Sequence, residues 1–87
     1  MEDRRTDPDM REAFDLVAQE RTYQKERWSP AHDSKKTPEE WIVLLDVYLG
    51  KTAQEAPAYK GPGYNRETFK RRLKQLGALA IAALESI

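Results

Sequence analysis

The stretch from Lys70 to Leu84 constrains the fold of this chain more than any other. Four cations lie between Lys70 and Lys74, and the run from Leu76 to Leu84 then carries no charge. A spacing of four and three residues predicts a helix there. Its apolar stripe consists of Phe69, Leu73, Leu76, Ala80, Ala83 and Ile87.

Beyond Leu76, apolar residues also occupy the other sides of this helix, and such a helix is normally buried all round. We therefore expect a homo-oligomer, most simply a two-fold dimer. The alternative is an alanine-rich helix that forms through propensity alone and stays partly exposed. The predicted oligomer interface consists of Leu76, Leu79, Ala80, Ile81, Ala83 and Leu84.

Length and charge place further bounds on the protein. A chain of 87 residues is long enough for one domain, so we predict a single helical domain over 1–87 with a flexible segment at 1–6. A domain of this size buries little surface on folding. No cysteine is present to reinforce it. Fifteen Lys and Arg balance fifteen Asp and Glu, so no overall electrostatic field attracts nucleic acid.

The chain opens without the apolar segment of a secretory signal, and its apolar run is too short to span a membrane. We expect a cytoplasmic protein without a membrane partner.

Three helices are predicted from their start signals. Asp7-Pro8 begins a helix over 8–28, and Thr37-Pro38 with Glu40 forms a capping box for a helix over 38–56. Asn65 caps a third helix over 66–86, after a Gly/Pro-rich loop at 57–65. No segment alternates with the period of a strand. The predicted fold class is all-α: a helical hairpin plus an N-terminal helix, assembling into a helical-bundle oligomer.

Two groups of side chains are candidates for binding. Cations crowd the first turns of the third helix, where the helix dipole is already positive, so they need carboxylates or a bound anion for compensation. A solvated face neutralised by Glu39, Glu40 or Glu67 is the alternative. Trp28, Tyr59 and Tyr64 lie near lysines, as in pockets for a base and a phosphate. Packing at the edge of the core would explain these rings equally well.

Metal and catalytic sites find little support. His32 is the sole histidine, so no zinc site is expected, and no serine has a visible base partner. Asp46 is the one acid in the middle of a buried-looking region, and a dinuclear magnesium site needs several carboxylates. We expect no metal, no cofactor and no catalytic residue.

A family resemblance emerges from the order of several residues. These are Glu20-Arg21, Gln24, Arg27-Trp28, His32, Trp41 and the closing run Leu73–Glu85. Over about residues 14 to 87, the chain resembles small, often phage-encoded, MazG-like proteins of the all-α nucleoside triphosphate pyrophosphohydrolase superfamily. The resemblance implies a helical dimer or tetramer that cleaves nucleotides between the α and β phosphates with magnesium.

The acidic signature of that family is missing from this chain. Its Glu-Glu-x-x-Glu would fall on Val47–Lys51 and its Glu-x-x-Asp on Arg72–Gln75, where no acid stands. Lys51 and Arg72 are even reversed in charge, and a cation there repels a metal ion but can pair with phosphate oxygens. The resemblance therefore implies an inherited fold whose metal chemistry is lost.

Three functions follow as hypotheses. The first is a non-catalytic protein that binds a nucleotide-type or phosphate-bearing ligand, sequestering a nucleotide signal of host defence in a phage setting. The second is a helical inhibitor or adaptor that binds a host protein, and the third is an active pyrophosphohydrolase with a different set of carboxylates. The residues predicted to contact the ligand are Lys51, Arg71, Arg72, Lys74, Tyr48, Tyr59, Tyr64 and Arg66.

Overall fold

A computed structural model describes residues 7–28 and 36–87, and these residues are mostly helical, with no strand among them. Helix α1 spans Pro8–Arg27, α2 spans Pro38–Gln54, α3 is a single turn at Pro57–Lys60 and α4 spans Arg66–Ser86. A 3₁₀ turn at Gly61–Gly63 follows α3. The prediction of an all-α fold is confirmed.

The predicted helix starts are confirmed in atomic detail. The Asp7 carboxylate accepts from the backbone N–H of Asp9 at 2.9 Å, and the Thr37 hydroxyl accepts from that of Glu40 at 3.2 Å. Glu40 Oε1 accepts in return from the Thr37 N–H, which completes the capping box. Asn65 Oδ1 accepts from the Thr68 N–H at 3.1 Å. Each cap satisfies backbone N–H groups that have no partner inside their own helix.

The predicted count of three helices is wrong, because the segment expected to be a Gly/Pro loop contains α3. Pro57 occupies the first helical position, where its fixed φ favours a helix and its missing N–H costs nothing. The turn then ends at Gly61, whose φ of +54° suits glycine far better than other residues. The described chain therefore has four α-helices.

Helix α4 packs against both α1 and α2. The α2–α4 contact contains the apolar core, in which Trp41 and Leu79 are the largest fully buried side chains. Ala82 and Ala83 lie beside them, and Trp28, Leu44, Leu45 and Tyr48 pack against the cluster from its edge.

The α1–α4 contact includes buried polar and charged side chains. Arg21, which is 7% exposed, donates from Nε to Glu85 Oε1 at 2.8 Å, and Lys25 Nζ lies 2.9 Å from Glu85 Oε2. The hydrogen bond from Arg21, followed by that from Lys25, lowers the pKa of the Glu85 carboxyl below its ordinary value. Gly77 lets the two helices approach closely, since a Cβ at that position would lie 3.2 Å from Val17 Cγ2.

Several apolar side chains lie exposed on the described surface. On α4, Leu84 is 77% exposed, whereas Leu79 is 0% and Ala83 is 8% exposed because both face Trp41 within the chain. Of the residues predicted at the oligomer interface, Ala80, Ile81 and Leu84 are therefore exposed and Leu76 is half-buried, whereas Leu79 and Ala83 belong to the core of the chain itself. Among the described helices, none is both long and apolar enough to cross a lipid bilayer.

Candidate functional site

A cleft lies where the C-terminal half of α1 faces α2 and α4. Its volume is about 120 Å³. Five of the described residues that line it come from α1 or its C-cap, one comes from α2 and one from α4. They are Glu20, Tyr23, Gln24, Arg27, Trp28, Tyr48 and Gln75.

The most informative side chain of the cleft is Gln24, which is only 4% exposed. Its Nε2 donates to the backbone carbonyl of Gln75 at 3.4 Å. Its Oε1 accepts no hydrogen bond from any part of the chain that the structure describes. A buried amide oxygen without a donor costs free energy, typically about 1–3 kcal/mol, and a ligand with a suitable N–H or O–H would recover that cost.

Gln75 belongs to the same hydrogen-bonded group. Its Oε1 accepts from Arg72 Nη1 at 3.1 Å, while its backbone carbonyl accepts from Gln24. Arg72 is half-buried, and its Nε has no hydrogen-bond partner within residues 7–28 and 36–87. Arg72 is therefore linked to the cleft through Gln75 rather than lining it.

Exposed cations lie beside aromatic rings of the cleft. The Arg27 guanidinium is 5.6 Å from the centroid of Tyr23 and donates to its hydroxyl at 3.0 Å. Lys51 Nζ is 4.7 Å from the centroid of the Tyr48 ring. Such cation–π contacts keep a positive charge next to an aromatic surface. A flat ligand with an anionic tail would find both groups here.

The residues predicted to bind a ligand are only partly brought together. Tyr48 lines the cleft and Lys51 covers its ring, while Arg72 holds Gln75. Arg71, Arg66 and Tyr59 are exposed and do not line the cleft, and Lys74 is half-buried.

Tyr64 packs edge-on against Phe69, with ring centroids 6.1 Å apart. It therefore lies at the edge of α4, away from the residues that line the cleft. His32 and Lys35 are outside the described residues.

Sequence reasoning missed most of the cleft. It did not select Glu20, Tyr23, Gln24, Arg27 or Gln75 as ligand contacts. One signal was present, because the apolar stripe of α1 turns polar at Arg21 and Gln24, where further apolar residues would continue the pattern. Both side chains are buried against α4.

Carboxylates do not converge in the described structure. Within residues 7–28 and 36–87, no group of three or more His, Asp or Glu side chains is placed to hold a metal ion. At the positions where the resemblance would put acids, Tyr48 and Gln75 share the cleft, and Lys51 and Arg72 each contact one of these two residues.

Comparison with known proteins gives no identification: no protein-family model, curated protein or solved structure matches this chain. The MazG-like resemblance therefore stays a hypothesis.

Proposed function

We propose that this protein is a non-catalytic, MazG-like helical protein that binds a nucleotide-type ligand in the cleft between α1, α2 and α4. The observation that carries the proposal is the buried Gln24 amide, whose oxygen has no donor in the described chain, among aromatic side chains. A few polar groups among aromatic side chains in a cleft are the usual arrangement of a small-molecule site.

The two parts of a nucleotide fit two parts of the site. Trp28, Tyr48 and Tyr23 supply aromatic surface against which a base can pack. Lys51 and Arg27 supply exposed positive charge next to these rings for the phosphates. Within residues 7–28 and 36–87 no carboxylates converge to hold magnesium, and we propose that the ligand is held rather than hydrolysed. In a phage-encoded protein that acts in the host cytoplasm, binding without cleavage would sequester a nucleotide signal of host defence.

Calorimetric titration with mono-, tri- and cyclic nucleotides tests the proposal. We expect binding at micromolar concentrations, and we expect Lys51→Glu to weaken it about tenfold, a loss of roughly 1.4 kcal/mol. Arg71→Glu is the matched control, because it makes the same charge change on an exposed residue that does not line the cleft. It should change Kd less than threefold.

Two results would contradict this function. Absence of heat from the whole nucleotide panel would show that the cleft is not a nucleotide site. Release of pyrophosphate from a nucleoside triphosphate with magnesium would instead show an active hydrolase.

We also propose that the protein self-associates. The described core contains only two large, fully buried side chains, while Ile42, Val43, Leu84 and Ile87 are each more than 60% exposed. A second copy that covers these residues would add the burial that so small a domain lacks. Sedimentation velocity measures the assembly, and a monomer at all concentrations would favour a host protein as the partner of this surface.

A further inference from the structure

We infer that α2 pairs antiparallel with α2 of a second copy of this chain, along a groove on the exposed side of the helix. This inference rests on the proposed self-association and names the surface that forms it. The groove has a volume of about 420 Å³, and its exposed wall is predominantly apolar. The described residues that line it are Lys36, Glu39, Glu40, Val43, Leu44 and Val47.

The groove lies next to the apolar core of the chain. Val43 and Val47 are exposed in it, although Trp41 on the same helix is buried. Leu44 packs against the edge of the core cluster and also lines the groove. A second apolar helix laid in the groove would therefore extend the core from one copy into the other, and burial of these side chains would favour the contact.

The spacing of residues along this side of α2 is the same in both chain directions. Glu40 lies four residues before Leu44, and Lys51 lies four residues after Val47. Steps of four and three residues keep all of them on one side of the helix. A two-fold axis that pairs the helices antiparallel reverses the order in the second copy. Leu44 of each copy then lies opposite Val47 of the other, and Glu40 lies opposite Lys51.

The charges of α2 favour this antiparallel direction. Glu40 lies in the first turn and Lys51 in the last turn, and both are exposed. Antiparallel pairing brings opposite charges together at both ends of the contact, whereas parallel pairing would set glutamate against glutamate and lysine against lysine. The capping box uses Glu40 Oε1, and a carboxylate has a second oxygen that can meet a lysine. Such ion pairs mainly set the orientation of an interface, so its affinity comes from the apolar centre.

Cysteine cross-linking tests which side of α2 forms the contact. The chain has no cysteine, so one substitution introduces one reactive thiol. Packed helices lie about 8–10 Å apart, so a short bis-maleimide should convert most of Val47→Cys into covalent dimer. Ile42→Cys is the matched control, because it is an exposed apolar position of α2 that does not line the groove. It should yield about fivefold less dimer, since five residues lead to another side of the helix.

A charge exchange between two variants tests the direction. Glu40→Lys alone and Lys51→Glu alone each place like charges together at both ends, and each should weaken self-association about tenfold in sedimentation equilibrium. An equimolar mixture of the two variants restores opposite charges at both ends and should regain the wild-type association constant within about threefold. Single variants that associate as tightly as wild type would overturn antiparallel pairing. If Glu40→Lys does not fold, as judged by circular dichroism, the result for Lys51→Glu alone decides the direction.

The outcomes separate this inference from the proposals on which it rests. A monomer at all concentrations would overturn the inference together with self-association, while nucleotide titration decides ligand binding independently. A dimer that cross-links equally through positions 42 and 47 would overturn the choice of this groove and leave self-association intact. Leu84 does not line the groove, so a contact that it makes with another copy is a second interface.

Discussion

The two faces of α4 form very different contacts. Toward α2 it buries Leu79, Ala82 and Ala83 against Trp41. Toward α1 it offers Glu85 to Arg21 and Lys25, and the backbone carbonyl of Gln75 to Gln24. One helix thus packs apolar side chains toward α2 and forms ion pairs and hydrogen bonds toward α1.

The difference separates stability from recognition. Apolar burial is favourable wherever shapes fit, and the two largest fully buried apolar side chains, Trp41 and Leu79, lie in the α2–α4 contact. The α1–α4 contact must satisfy buried polar atoms individually, and such contacts contribute less stability for the same area. The cleft opens beside this polar contact, and its unsatisfied Gln24 oxygen is a cost that a ligand can remove.

The largest expected effect distinguishes two leucines of α4. Leu79→Ala removes a fully buried side chain and should lower the free energy of unfolding by about 3 kcal/mol or more, as urea denaturation measures. Leu84→Ala is the matched substitution at an α4 leucine that is 77% exposed. It should leave the stability of the subunit nearly unchanged and weaken self-association in sedimentation velocity.

If Leu79→Ala does not fold, the milder substitution Leu79→Val still allows the loss of stability at position 79 to be compared with that at position 84. Similar losses of stability at positions 79 and 84 would contradict the assignment of the core to the α2–α4 contact.

A smaller effect is expected at the ion pairs of the polar contact. Glu85→Gln removes both ionic contacts and should cost about 1 kcal/mol at neutral pH, a modest amount because the Glu85 side chain is 40% exposed. Since folding lowers the pKa of Glu85, its contribution is present above the unfolded-state pKa, about 4.3, and disappears as the pH falls through the lower folded-state pKa.

The difference in unfolding free energy between wild type and Glu85→Gln should therefore be constant above about pH 5.5 and shrink below about pH 4.5. Urea titrations at several pH values measure it. Asp46→Asn, at an exposed carboxylate on α2, serves as the control. A difference that persists unchanged to pH 2.5 would contradict a role for the ionised carboxylate.

The smallest effect compares two helical glycines. Gly50→Ala in α2 meets no atom within 4 Å and should stabilise the fold by about 0.5–1 kcal/mol through the higher helix propensity of alanine. In Gly77→Ala the new methyl group lies 3.2 Å from Val17 Cγ2, so the Val17 side chain or α1 must give by a few tenths of an ångström and the gain should be smaller than at Gly50. Melting temperatures of the two variants measure the difference, and equal gains would show that the α1–α4 contact is loose at Gly77.

Local signals predicted much of the fold and little of the cleft. Helix starts at Pro8, Pro38 and Arg66 could be predicted because a cap acts within three residues of its own helix. The turn α3 was missed because proline and glycine mark loops and short helices alike. Tyr48 was selected for its place in a family register, whereas Gln24 belongs to the cleft through contact with a residue 51 positions away.

The sequence by itself determined that this chain is helical, where its long helices begin and that one of them carries more apolar surface than a small fold needs. Those properties depend on caps, propensities and periodicity, which act over a few residues. Only the tertiary structure decided which side of α4 is buried, which polar residues are satisfied and which oxygen is left without a donor. Those properties depend on the packing of α1 and α2 against α4, so they follow from distances between residues far apart in the chain.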